Sequence, residues 1–419
     1  STPYWWEACA AHPTEPLPAH SDTVVVGGGI TGVVAAIELA RKGQSVTIIE
    51  ANRMGGGATA GSLGVLSTPA AGAGFGDPDE MVYGRARKAW HRERLAAQRY
   101  LLRLVEDSGV DCNLDTGVVL LAPDETNFNK LAATVDARNA FYETGDYVIK
   151  GDALEREAGG RVAETFPGAL IMRDVHHVDP ARLIEGLASL ARSLGVVVCE
   201  RTEVTGMQPD DGGLRLLTNG GDMSARNVLL ATGGYSGNVH AWLQRRTLGL
   251  PSIAAATEEI PEDEVRDVCR SGRVLLVNRH RSHVCRPSPD GRRLILGGPV
   301  GQVPGTPAEN AETLQRYFLK LFPDLRGVEF THCWAGMIAA TRDGRGHMGR
   351  QGGAWYAVGY SGLVSCADAG RRVAQNILHD DDSAGDFPAW PLRDSETLLW
   401  RGISLASGLR DVLGRSRLR

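Results

Sequence analysis

The stretch from Asp22 to Glu50 constrains this 419-residue chain more than any other. Thr23 to Val26 is a β-branched run that reads as a buried strand. Gly27, Gly29 and Gly32 follow at G-x-G-x-x-G spacing, with Ile30 and Thr31 between them. Val33 to Ala40 reads as an apolar helix ended by Gly43, and Val46 to Ile49 as a second strand closed by Glu50 and Ala51. The glycine spacing alone is a weak signal. Here a strand precedes it, a helix follows it, and an acid closes the next strand. Gly27 permits the tight turn. Gly29 lets a pyrophosphate approach the N–H groups at the helix start, and Gly32 lets helix and strand pack closely. Glu50 can accept two ribose hydroxyls and disfavours a 2′-phosphate. The competing reading is a glycine-rich turn in an ordinary βαβ unit. The expectation is a dinucleotide site, for FAD or NAD.

The bulk properties exclude other classes. A formal charge of −5 and a pI near 6.1 argue against a nucleic-acid binder. Cys9, Cys112, Cys199, Cys269, Cys285, Cys333 and Cys366 are dispersed, with no C-x-x-C and no metal spacing. Reduced thiols, a cytoplasmic location and no metal are expected. No run reaches the ~18 apolar residues of a membrane span, and the start of the chain does not read as a signal peptide.

Residues 1–20 read as an arm kept extended by Pro13, Pro16 and Pro18, with Trp5 and Trp6 packed on the body or edging the site. Residues 78–112 read as an amphipathic helix with Met81, Val82, Trp90, Leu95, Tyr100, Leu101, Leu104 and Val105 on one face. Further helices are expected over Asn127–Tyr142, Ala181–Leu194, Thr313–Phe322 and Ala367–Leu378, and strands over Val118–Ala122 and near Arg273, Ser282 and Arg293. The basic tail Leu398–Arg419 reads as a helix packed on its own domain, on a neighbouring subunit or on a membrane surface.

Four further segments resemble the D-amino acid oxidase and glycine oxidase superfamily of FAD oxidoreductases. After Glu50 comes a small-residue loop, Arg53-Met-Gly-Gly-Gly57-Ala58-Thr59-Ala-Gly-Ser-Leu63-Gly, similar to that family's second flavin-contact loop. His177-Val-Asp-Pro180 leads through a helix to Glu203-Val204-Thr, where the family holds adenine through a backbone contact. Ala231-Thr232-Gly233 resembles the family's second dinucleotide signature. Cys333-Trp334-Ala-Gly336 and Gly359-Tyr360-Ser361-Gly362-Leu363-Val364 resemble its last signature, whose helix N-terminus faces the flavin. The Trp334 block looks most like the γ-glutamylputrescine oxidase-type amine oxidoreductases.

The resemblance implies a Rossmann-like FAD-binding domain with an inserted antiparallel-sheet substrate domain. Residues 21–80, 155–245 and 333–380 are assigned to the first, 81–154 and 246–332 to the second, and 381–419 to a helical tail. It implies non-covalent FAD, Cys333 lying out of register with the family's covalent attachment. It also implies oxidation of an amine by hydride transfer to flavin N5, giving an imine that water hydrolyses. His283 is the candidate base, with His280 as alternate, and Trp334 and Tyr360 are the candidate aromatic walls. Ile295 stands where sarcosine oxidases carry an O2-activating Lys. Cys366 and Gly362 stand where relatives hold the substrate carboxylate. A distant or absent carboxylate is therefore expected, with Arg281 or Arg286 as the partner if one is bound. The acceptor is O2 or another oxidant, leaving oxidase and dehydrogenase open. A 2-hydroxy acid or a specialised metabolite as substrate of the same fold, an NAD-linked enzyme and a non-catalytic subunit are the alternatives.

Overall fold

Strand His20–Val26 sits in the middle of a sheet because its apolar residues need cover on both faces. It pairs in parallel with Val46–Ile49 on one side and Gly221–Leu230 on the other. The computed structural model describes residues 2–9, 14–67, 84–237, 239–278, 282–298 and 306–382. Among these, the sheet has eight strands. Val197–Cys199 extends it beyond Val46–Ile49, and Ala354–Val358 joins Gly221–Leu230 in parallel. His347–Gln351 and the ribbon Val204–Asp210/Gly213–Thr218 complete it in antiparallel fashion. Helix Ile30–Ala40 covers one face and packs on helix Leu363–His379. At their closest approach a side chain at Gly370 would fall 2.3 Å from the Thr31 carbonyl oxygen.

A second sheet of nine described strands runs Phe330–Thr341, Thr247–Thr257, Leu294–Gly297, Ser282–Pro287, Val274–Asn278, Asp115–Leu121, Ala169–His177, Val65–Leu66, with Tyr147–Ile149 also on Ala169–His177. It is antiparallel except where Val274–Asn278 meets Asp115–Leu121 in parallel, a departure from the all-antiparallel expectation. Helices Glu262–Cys269 and Pro307–Leu321 pack on one face around Phe318, Phe322 and Val268.

Sheet membership moves the boundaries drawn from sequence. Ala169–His177, Val65–Leu66 and residues 333–341 of Phe330–Thr341 fall in the ranges assigned to the cofactor domain, yet all three strands pair within the second sheet. The chain crosses between sheets at Val178–Asp179, where Asp179 caps helix Pro180–Ser193 through the Ala181 and Arg182 N–H groups.

The helix expected over 78–112 is described as Gly84–Ser108. It buries Leu101, Leu104 and Val105, but Trp90 stays 47% exposed. Met81, Val82 and the tail beyond residue 382 lie outside the described residues. The arm makes one 3-10 turn, Tyr4–Ala8, with Tyr4, Trp5 and Trp6 buried. It continues past Thr14 and Glu15, which hydrogen-bond to the backbone of Glu200 and Val198. Both tryptophans pack on the body of the protein.

Candidate functional site

A cavity of about 740 Å³ runs from the first glycine turn to the wall of the second sheet. That volume falls within the ~300–1,000 Å³ of small-molecule and cofactor sites. Gly27 adopts φ +113°, and a side chain there would lie 2.6 Å from the Ala231 carbonyl oxygen, so the turn is pressed onto the strand end beside it. Gly29 caps the helix Ile30–Ala40, leaving backbone donors at the helix start beside the cavity. Thr59 Oγ1 takes one of them, the Ile30 N–H, at 3.1 Å.

Glu50 lies on the cavity wall with both oxygens oriented by the backbone. One accepts the Gly28 N–H at 2.7 Å and the other the Asn52 N–H at 2.9 Å. Burial raises its pKa above the usual carboxylate value, and Glu200 adds to this. Ala51, Val204, Thr232 and Gly233 line the same region.

Gly57, Ala58, Thr59 and Leu63 bring the small-residue loop to the cavity. Gly336 lets that loop lie on strand Phe330–Thr341: a side chain there would be 2.9 Å from Ala58 Cα. Gly359, Tyr360, Ser361, Gly362 and Leu363 form the opposite wall, at the N-terminus of helix Leu363–His379. Gly362, the N-cap, needs φ +82°. Burial pushes the Tyr360 phenol up to about 12.

Other expected residues lie elsewhere. Gly32 is off the cavity and serves packing, since a side chain there would fall 2.0 Å from the Gly27 carbonyl oxygen. Arg53 turns away, pairing with Glu185 at 3.0 Å and lying 3.5 Å over the Trp6 ring. Val364 points into the core, because the helix turns successive residues to different faces. Trp334 is buried behind the loop and donates Nε1–H to the Gly61 carbonyl at 3.1 Å, so it is not a wall.

His283 sits on the strand face opposite the cavity, packed against Tyr317, while its neighbour Val284 lines the cavity. Arg286 is buried and donates from Nη1 to the carbonyls of Leu63 and Val178 at 2.9 and 2.8 Å. It therefore does not reach out for a substrate carboxylate. Ile295 is core, and Cys333 is absent from the described wall. His280 and Arg281 lie outside the described residues.

The sequence reading missed Asn52, Ser62, Thr202, Glu203, Tyr235, Ser252, Val284 and Gly298 on the wall. Strand alternation around His283 was the signal for Val284. Ser252 and Gly298 carried none, because only sheet pairing brings them to the cavity.

The donor set fits FAD. Its diphosphate would lie against the helix N-terminus and the backbone of the first turn, and its ribose hydroxyls against Glu50. No arginine or lysine lines the cavity among the described residues, so backbone groups would carry the anion. Likewise, among the described residues there is no group of metal-ligating side chains, and no helix is long and apolar enough to cross a membrane.

The family model for FAD dependent oxidoreductases, DAO, matches residues 22–376. The chain is 28% identical to the probable oxidoreductase OrdL of Haemophilus influenzae over 382 residues, 88% of this chain and 85% of that one. It is 26% identical to the gamma-glutamylputrescine oxidoreductase of Escherichia coli over 409 residues, 94% and 93% of the two chains. In fold it resembles the solved glycine oxidase of Geobacillus kaustophilus, with a TM-score of 0.68 at 22% identity over 90% of this chain and 100% of that one.

Proposed function

The chain belongs to the DAO family of FAD-dependent oxidoreductases, and from that premise we propose that it oxidises a C–N bond of a primary or secondary amine that carries no α-carboxylate. Bound FAD supplies the two-electron acceptor: a hydride leaves the carbon beside nitrogen, and water hydrolyses the resulting imine to a carbonyl compound and an amine. The cofactor is held non-covalently, in keeping with the position of Cys333 away from the described wall.

The observation that carries this reading is the charge of the wall. Among the described lining residues only Glu50 and Glu203 are charged, and both belong to the nucleotide end. The second sheet contributes Val65, Ser252, Val284, Gly298, Met337 and Ile338. A buried α-carboxylate would find no cation to pair with among these described groups. A neutral amine would not, and Tyr360 offers it a half-buried ring and a phenol that stays protonated. The relatives named for glycine and γ-glutamylputrescine support amine chemistry in general.

The test is anaerobic mixing of the FAD-loaded protein with a panel of amines while following the flavin absorbance. Secondary amines without an α-carboxylate and polyamine derivatives should bleach it; glycine, sarcosine and D-alanine should not. Bleaching by α-amino acids and by nothing else would sink the reading. Readmitting air then separates an oxidase from a dehydrogenase.

A further inference from the structure

Three consecutive backbone carbonyls of the small-residue loop are held from behind by buried side-chain donors. Trp334 Nε1–H donates to Gly61 at 3.1 Å, Trp5 Nε1–H to Ser62 at 3.0 Å, and Arg286 Nη1–H to Leu63 at 2.9 Å. Trp5 and Trp334 are each 1% exposed and meet edge to face, with centroids 6.5 Å apart. The Arg286 guanidinium stands 5.3 Å over the Trp5 ring. Gly61, Ser62 and Leu63 all line the cofactor cavity.

In a trans peptide the C=O of one residue and the N–H of the next point in opposite directions. With the Ser62 carbonyl turned back to Trp5, the Leu63 N–H is directed away from the arm, to the cavity side. We propose that Trp5 is a positioning residue of the FAD site: the N-terminal turn fixes peptide 62–63 so that the Leu63 N–H is presented to the cofactor.

Trp334 and Arg286 belong to strands of the second sheet, whereas Trp5 comes from a short turn outside both sheets. The turn is docked by its own contacts. Glu7 pairs with His332 at 3.0 Å, the Tyr4 ring meets His332 edge to face at 5.7 Å, and Arg53, in the loop itself, lies 3.5 Å over Trp6. The arm is thereby part of the cofactor site, whatever substrate the enzyme takes.

The test uses the full chain with Trp5→Phe, which keeps an aromatic ring and removes the donor. Apoprotein is titrated with FAD by flavin fluorescence, and the absorption and visible circular dichroism of bound FAD are recorded. The expected result is about tenfold weaker FAD binding together with a shift of the flavin bands. Phe318→Leu, on the far face of the second sheet, is the control: it should lower Tm and leave FAD affinity and spectrum unchanged. Unchanged affinity and spectrum in Trp5→Phe would overturn the proposal, as would equal weakening in the control. Should Trp5→Phe yield no soluble protein, benzothienylalanine at position 5, which keeps the ring shape without the N–H, carries the same two outcomes.

Discussion

His283 packs against Tyr317 in a tilted contact, with ring centroids 4.3 Å apart and planes at 48°, on the opposite side of strand Ser282–Pro287 from the cavity-lining Val284. His283 is not among the described residues of the cavity wall, and a packing role is expected of it. His283→Phe is expected to lower stability by about 1 kcal/mol, read as a fall in Tm. The rate of flavin bleaching should stay within about threefold, with an unchanged pH profile. Loss of a pH inflection in the variant that the parent shows would restore His283 as a base.

No histidine or lysine lies on the described wall, its carboxylates Glu50 and Glu203 belong to the nucleotide end, and the Tyr360 phenol is pushed up to about 12, so on this reading the amine loses its proton to water before it reacts. Stopped-flow measurement of bleaching should therefore show kred/Kd rising about tenfold per pH unit until the substrate's own ammonium pKa, ~10.4 for a lysine-like amine. Tyr360→Phe should keep that slope. A plateau reached near pH 7 with such a substrate would contradict the account.

Glu50 is oriented by the Gly28 and Asn52 N–H groups at 2.7 and 2.9 Å. Glu50→Ala leaves both donors without their acceptor and removes the ribose partner. FAD binding should weaken by ~1.5–3 kcal/mol, roughly ten- to a hundredfold. The rise in Tm on adding FAD should shrink accordingly. Titration of apoprotein by fluorescence gives the first number and a melting series at fixed FAD the second.

His177 is buried, and neither ring nitrogen has a hydrogen-bond partner among the described residues. Burial pushes its pKa down to about 4, and the charge on Arg286 adds to this. The folded state thus prefers the neutral ring, while the unfolded chain titrates near 6.5. Its contribution is complete above pH ~6.5 and is lost as pH falls toward 4, up to ~3 kcal/mol. Asp179, raised by burial, acts with the opposite sign: its contribution is present at low pH and lost as pH rises. Comparing His177→Leu with the parent isolates the histidine. Unfolding measured from pH 7 to 4 should show a flatter decline in the variant, and parallel curves would contradict the assignment.

Much of the nucleotide end was legible in the sequence. Gly27, Gly29, Glu50 and the Gly359–Leu363 turn line the cavity as their spacing and resemblance suggested, because a strand–turn–helix cradle is built from residues close in sequence. Gly32 kept the packing role expected of the third glycine. The substrate end was much less legible. Alternation on Ser282–Pro287 leaves two faces, and nothing local says which one meets the cavity; His283 and Val284 were separated by the helix Pro307–Leu321 that covers one side.

The chain by itself determined a dinucleotide-binding strand–turn–helix unit, because glycines that must approach a phosphate and an acid that must meet a ribose leave a local pattern; FAD rather than NAD was implied by the resemblance of its later segments. The tertiary structure decided which sheet Ala169–His177 and Phe330–Thr341 joined, that Arg53 and Arg286 serve the scaffold, and that Trp5 reaches Ser62 from far along the chain. These outcomes depend on long-range pairing and on the burial of donors that must find an acceptor, and neither is encoded in the spacing of neighbouring residues.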